Sequence, residues 1–205
     1  SNVNVAVFQS CDYCQSNPQV AQTVFVRGPL STAGNNAAVI GFPYSNAVGS
    51  NSTLGTGNAI GAVWGLAYAR QEKALYAAAF AKYGSEIGPG GFGAIYKIDP
   101  TGVNSPTLFT TIPNPGSGTI GLPTDINDVT TYNDNVGKIS LGDIDISADE
   151  ATLYVMNLNE RRLYAVSVAN PADKQSFAVP DPGCVGGTYR PWAVKVYQGK
   201  VYIGM

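Results

Sequence analysis

Histidine is absent from all 205 residues, and that absence removes more chemistry than any other feature of the chain supplies. Without an imidazole there is no His-based activation of a nucleophile and no His-ligated zinc or iron site within these residues. Charge is sparse as well. Asp, Glu, Lys and Arg together make up 13% of the chain, with a net charge of −2 and a pI near 5.0. That balance offers no electrostatic basis for binding nucleic acid or an anionic membrane surface. Apolar runs all stop short of the roughly 18 residues a spanning helix needs, so the sequence predicts no transmembrane helix and no membrane insertion. No secretory leader is visible, and the chain opens Ser1-Asn2 without an initiator methionine, which reads as a mature or trimmed product. Cysteine is scarce and odd in number: Cys11, Cys14 and Cys184. Three thiols with no histidine cannot complete a tetrahedral zinc site.

What is present points to an all-β chain. Twenty-four glycines and 13 prolines punctuate a sequence that is 44% hydrophobic, with aliphatic and aromatic clusters throughout. In residues 1–57, the stretches 4–9 and 19–27 alternate apolar with polar residues as half-buried strands do, and 37–42 is a short apolar run between turn-forming clusters. Residues 45–58 (SNAVGSNSTLGTGN) read as a loop, because their composition favours turns and leaves little to bury. Within it, Asn51-Ser52-Thr53 matches a glycosylation sequon.

From Gly61 to Pro100 the chain reads as three strands, 63–69, 74–81 and 93–99, separated by polar or glycine-rich turns, with Arg70–Lys73 as the first hairpin turn. A shortened echo follows. Leu66 precedes Leu75-Tyr76 by nine residues, and Ile144 precedes Leu153-Tyr154 by nine. The second copy comprises 141–147, 152–157 and 162–168; its third strand carries Tyr164 where the first copy carries Tyr96. A third copy runs from 192–197 through Gln198-Gly199 to 200–203, with Tyr202. A meander of this kind buries one face and leaves open edges, so it has to stack on neighbours. The spacing of 48 residues from Tyr154 to Tyr202 matches a propeller blade of about 40–50 residues. Two insertions, the 84–92 loop and the 102–138 connection, account for the 78 residues between Tyr76 and Tyr154. The expected architecture is antiparallel four-stranded-blade meanders forming part of a β-propeller: a β-region at 1–57, then blades at about 58–115, 138–180 and a truncated 190–205. Too few blades are present to close a ring, so the chain reads as a portion of a larger propeller.

Residue constellations with chemical potential are few. Cys11-Asp12-Tyr13-Cys14 has the C-x-x-C spacing of a redox pair but lacks the strand-to-helix context that activates one, so it reads as a structural disulfide of an oxidising compartment. The densest acidic cluster gathers Asp125, Asp128, Asp134, Asp143 and Asp145. Carboxylates amid Asn and backbone carbonyls suit calcium, with Asp125, Asp128, Asp143 and Asp145 as the ligand set; turn-forming Asp and Asn that bond their own backbone are the plainer explanation. Asp143 and Asp145 share one strand face and could line a channel or do acid–base work. Residues 88–93 (GPGGFG) lack the lysine and helix of a phosphate loop and read as a flexible turn. Glu160-Arg161-Arg162 is an exposed charged hairpin turn. Trp64 and Trp192 open their strands and are expected as wedges between blades, with sugar stacking as the alternative.

The wording and order of WGLAY…LYAAAFAKYG…GPGGFGAIYKIDPTG, KISLGDIDIS…TLYVMNLNERRLYAV and PDPGC…YRPWAVKVYQGKVYIG resemble large bacterial surface or secreted proteins. Those proteins have propeller-like N-terminal regions, often followed by serine-aspartate-repeat or collagen-adhesin B-type modules. The resemblance covers about residues 60–205. It implies an extracellular or cell-surface setting, a propeller, a role in adhesion or matrix structure, and a disulfide partner for Cys184 just beyond Met205. The expected function is therefore a non-catalytic scaffold that contacts other protein chains or surface glycans. Two alternatives stand beside it. One is a carbohydrate-binding or lyase- or hydrolase-type propeller with a site at the channel mouth; the other is a self-assembling fibre subunit joined through open edge strands.

Overall fold

The computed structural model describes residues 17–46, 51–101, 106–122 and 134–205. They form four antiparallel sheets, three of which are continuous meanders in which each strand pairs with the next in sequence. The first sheet holds β1 (Gln19–Thr23), β2 (Ala37–Pro43) and β3 (Ser52–Thr56), with single-turn helices α1 (Leu30–Ala33) and α2 (Gly57–Ile60) beside it. The second holds β4 (Val63–Ala69), β5 (Ala74–Ala79), β6 (Ala94–Ile98) and β7 (Thr107–Thr111). The third repeats that plan with β8 (Leu141–Ile146), β9 (Thr152–Asn157), β10 (Arg162–Ser167) and β11 (Lys174–Ala178). The fourth is the hairpin β12 (Ala193–Tyr197) and β13 (Lys200–Gly204), closed by Gln198-Gly199 with both residues at positive φ, as a tight primed turn requires.

Alternation along the strands sends side chains to two faces, and the sheets stack through those faces. On β5 every residue is buried, because both of its faces are covered. Leu75, Ala77 and Ala79 join Val63, Ile98 and Tyr96 in a core shared with Val39 and Leu54 of the first sheet. Tyr76 and Ala78 point the other way, into a core with Leu141, Ile144, Leu153, Val155 and Val166 of the third sheet. Met156, Leu163 and Val194 form a further core between the third sheet and the hairpin. Each fully buried aliphatic or aromatic side chain contributes roughly 1.5–3 kcal/mol, so these three layers carry most of the stability.

All-β is thus the class, and the strands expected at 63–69, 74–81, 93–99, 141–147, 152–157 and 162–168 are present within two residues of those bounds. Tyr76 and Tyr96 are buried. No barrel or ring is closed among the described residues. The expected loop at 45–58 needs correction, since Ser52–Thr56 pairs with β2 and Leu54 enters the first core. A polar strand on one sheet edge needs only one inward side chain, so its composition resembles that of a loop. Two further strands, β7 and β11, complete the four-stranded sheets at positions where the sequence pattern showed none. The stretch 4–9 lies outside the described residues.

Candidate functional site

Three strands that begin their sheets lie side by side: β8 is packed between β4 and β12. Two of them, β4 and β8, share a one-residue bulge at the same place. In β4 the pairing with β5 slips between Val63 and Leu66, and in β8 the pairing with β9 slips between Leu141 and Ile144. Ahead of each bulge the flanking contact also recurs, since Phe80 N–H donates to Ala62 O as Leu158 N–H donates to Ser140 O. The bulge bends the strand and re-aims the residues after it. It turns positions 65 and 67 of β4 toward β8, and positions 143 and 145 of β8 toward β12.

At the second of these junctions stand the two carboxylates singled out by the sequence. Asp143 accepts from its neighbour Ile144 N–H through Oδ1 (3.0 Å) and from Val194 N–H of β12 through Oδ2 (3.2 Å). Asp145 repeats the arrangement two residues on, accepting from Ile146 N–H (2.9 Å) and Val196 N–H (2.7 Å). Lys195 lies 2.8 Å from Asp145 Oδ2. All four carboxylate oxygens are thereby engaged with backbone amides, and the pair fastens β12 alongside β8. Asp134 lies apart, paired with Lys138 in an exposed turn. Asp125 and Asp128 lie outside the described residues. Among the described residues no three groups of a metal-binding type come together.

At the start of the same strands is an aromatic cluster. The Trp64 ring meets Trp192 edge-on at 6.0 Å between centroids and Phe80 at 5.8 Å, and Phe80 meets Trp192 at 4.8 Å. Phe80 is buried, but Trp64 is 47% exposed. It is therefore no buried wedge, which corrects the expectation for that residue. The Lys82 ammonium lies 4.8 Å from the Phe25 ring centroid and 5.6 Å from that of Trp64. Partial burial holds it below the usual lysine range. No described carboxylate pairs with Lys82.

The glycine-rich loop borders an open cleft of about 460 Å³, lined by Glu86, Ile87 and Phe92 on one side and by Gly118–Leu122 on the other. Glu86 is engaged there, accepting from Leu30 N–H at 2.6 Å. Close approach explains part of the glycine content, because a Cβ on Gly61 would sit 1.9 Å from Gly88 N. In the charged turn at 160–162, Glu160 accepts from Tyr164 OH (2.5 Å) and Arg162 bonds Ser176, so both are structural. Burial, reinforced by Glu160, pushes the Tyr164 phenol up to about 12. Cys184 is a free, exposed thiol and no disulfide is present among the described residues, so the expected disulfide is not found there; the partner implied for Cys184 beyond Met205 lies outside these 205 residues. Cys11 and Cys14 lie outside the described residues.

Sequence comparison turns up no matching protein-family profile. It does find similarity to three proteins of Dictyostelium discoideum. Colossin-D is 29% identical over 216 residues, covering 98% of this chain and 23% of its own length. Colossin-A is 32% identical over 214 residues, covering 93% of this chain but 2% of itself. Colossin-C is 27% identical over 149 residues, or 70% of this chain and 15% of its own. The chain thus spans less than a quarter of each of these relatives. The relatives are eukaryotic, which corrects the expected kinship with bacterial surface proteins.

Proposed function

We propose that the chain is a run of blades from a β-propeller, and that the propeller serves outside the cell as a non-catalytic structural and adhesion module. The observation that carries this reading is the in-register repeat of β4–β6 in β8–β10, first-strand bulge included, with the strands that begin these sheets packed side by side. A meander covered on both faces and rotated about a common first strand is the unit from which propellers are built. The non-catalytic part is supported by Asp143 and Asp145, whose oxygens all accept from backbone amides. Within the proposal, the scaffold's partners are other protein chains or surface glycans. An exposed Asn51 ahead of β3 fits an extracellular setting, where its sequon is open to glycosylation.

Cryo-electron microscopy of the natural polypeptide tests the architecture. Radial sheets around a central channel are expected, and a linear stack of sheets would overturn it. Labelling intact cells with a membrane-impermeant amine reagent tests the location. Modification of this protein is expected, and labelling seen only after lysis would count decisively against an extracellular role.

A further inference from the structure

Three features of the molecule are not absorbed by the scaffold: the open cleft beside Glu86, the outer face of the β12–β13 hairpin, and the aromatic cluster around Trp64. Glu86 already serves a backbone amide, and the cleft offers no other charged group. On the hairpin, Lys195, Tyr197, Lys200 and Tyr202 share an exposed face, but nothing in the structure indicates what covers it. The cluster carries an inference.

We infer that Trp64, braced by Phe80 and Trp192 and flanked by Lys82, is a binding site for an acidic saccharide. Four observations converge. First, Trp64 is nearly half exposed at 47%, although it belongs to a strand whose neighbours Val63 and Gly65 are buried. Second, its ring packs against Phe80 in a tilted contact and against Trp192 edge-on, so the exposed indole is already positioned and loses little freedom when a ligand stacks on it. Third, Lys82 stands 5.6 Å from the Trp64 centroid, near the outer limit of a cation–π contact, and has no carboxylate partner among the described residues. Its ammonium is partly desolvated, so an incoming anion meets a charge already stripped of some water. Fourth, the acidic side chain that borders the cluster among the described residues, Asp143, is engaged through both oxygens with the Ile144 and Val194 amides, and none pairs with Lys82.

The chemistry of the ligand follows from these parts. A pyranose ring presents a flat array of C–H bonds that packs on an indole face, while its hydroxyls stay in water. A carboxylate or sulfate on that ring, or on the next one, gives Lys82 the partner it lacks, with up to three N–H donors available. A neutral sugar satisfies the indole alone, and a small anion satisfies the lysine alone. An acidic saccharide satisfies both. The site lies where β4, the end of β5 and the entry to β12 converge, so successive sheets, not one loop, fix its shape. This inference rests on the extracellular contact role proposed above, since surface glycans are the source of such ligands. It does not depend on ring closure.

The experiment exploits the tryptophan content. Trp64 and Trp192 are the two tryptophans of the 205 residues, so tryptophan fluorescence, excited selectively to leave out the 12 tyrosines, reports on this cluster. Titration is made with tetragalacturonate, a hyaluronan tetrasaccharide and a heparin-derived tetrasaccharide, with maltotetraose as the neutral control. At least one acidic oligosaccharide is expected to give a saturable change, binding about tenfold or more tighter than maltotetraose and weakening as salt is raised. Calorimetry then compares variants. Trp64→Ala is expected to weaken that ligand about tenfold, and Lys82→Gln to remove the preference over maltotetraose. Trp64 is exposed, so its variant should retain the wild-type unfolding midpoint; should it not, Trp64→Tyr, which keeps a stacking ring, must preserve binding. No saturable response to any of the three acidic probes, equal binding of maltotetraose, or full affinity in Trp64→Ala would each overturn the inference. None of those results bears on whether the blades form a propeller or where the protein resides, so the two proposals fail separately.

Discussion

The second and third sheets share a plan and differ in how each is joined to its successor. After the bulge, β4 presents Gly65 and Ala67 toward β8, whereas β8 presents Asp143 and Asp145 at the matching positions toward β12. At Gly65 the approach is so close that a Cβ would lie 2.7 Å from Ile144 N and 3.0 Å from Asp143 Cα. The first junction therefore works by leaving side chains out. At the second, carboxylates reach across and accept the amides of Val194 and Val196. One frame thus accepts two solutions, close apolar contact or a polar bridge. Polar residues on a strand that begins a sheet can therefore be joinery as readily as chemistry.

The largest effect is expected from closing the first junction's gap. Gly65→Val should cost about 3 kcal/mol in urea unfolding, because the obstructing atoms include backbone of β8, which cannot turn aside. A loss below about 0.5 kcal/mol would show that the sheets part without penalty and that the glycine has no packing role. Next comes Asn157, the counterpart of Ala79. It is fully buried, its amide donates toward Pro113 O and Asn114 O, and its oxygen accepts from Glu160 N–H. Asn157→Ala strands those backbone groups and should cost about 2 kcal/mol. The carboxylate bridge ranks third. Asp143→Ala and Asp145→Ala should each cost about 1 kcal/mol, and amide hydrogen exchange at Val194 and Val196 should accelerate while that of β9 stays unchanged. Uniform acceleration across the third sheet would mean that the carboxylates support the sheet itself and not its junction.

The repeat was legible because hydrophobic spacing survives in it: Leu66, Leu75 and Tyr76 against Ile144, Leu153 and Tyr154 mark the same inward positions in both copies. The outer strands β7 and β11 were not legible, since TLFTT and KQSFA are short, mostly exposed and held chiefly by backbone pairing that a composition does not record. Ser52–Thr56 was hidden for the same reason. At the site, period two placed Asp143 and Asp145 on one face, but that they would bind backbone amides of a strand some fifty residues later is a fact of tertiary register alone. The aromatic cluster was half visible. The position of each tryptophan at a strand entry could be read, whereas the meeting of Trp64, Phe80 and Trp192 depends on the packing of successive sheets.

An effect no larger than that of the carboxylates separates the paired tyrosines of the third strands. Tyr96 OH accepts from Gly90 N–H, while Tyr164 OH donates to the Glu160 carboxylate. Only the second depends on the phenol keeping its proton. Burial and Glu160 raise Tyr164 to about 12, against about 10 for an unfolded tyrosine. The sign follows from linkage: above pH ~10 the unfolded chain releases this proton while the folded chain retains it, so the stabilisation is complete below ~10 and is lost as pH approaches ~12. Tyr164→Phe should therefore cost about 1 kcal/mol at neutral pH through the missing hydrogen bond, and its unfolding midpoint should fall less steeply than that of the wild type between pH ~10 and ~12. Parallel curves in that window would mean that the Tyr164 proton is no better held in the folded chain than in the unfolded one, and the contrast between the two tyrosines would vanish.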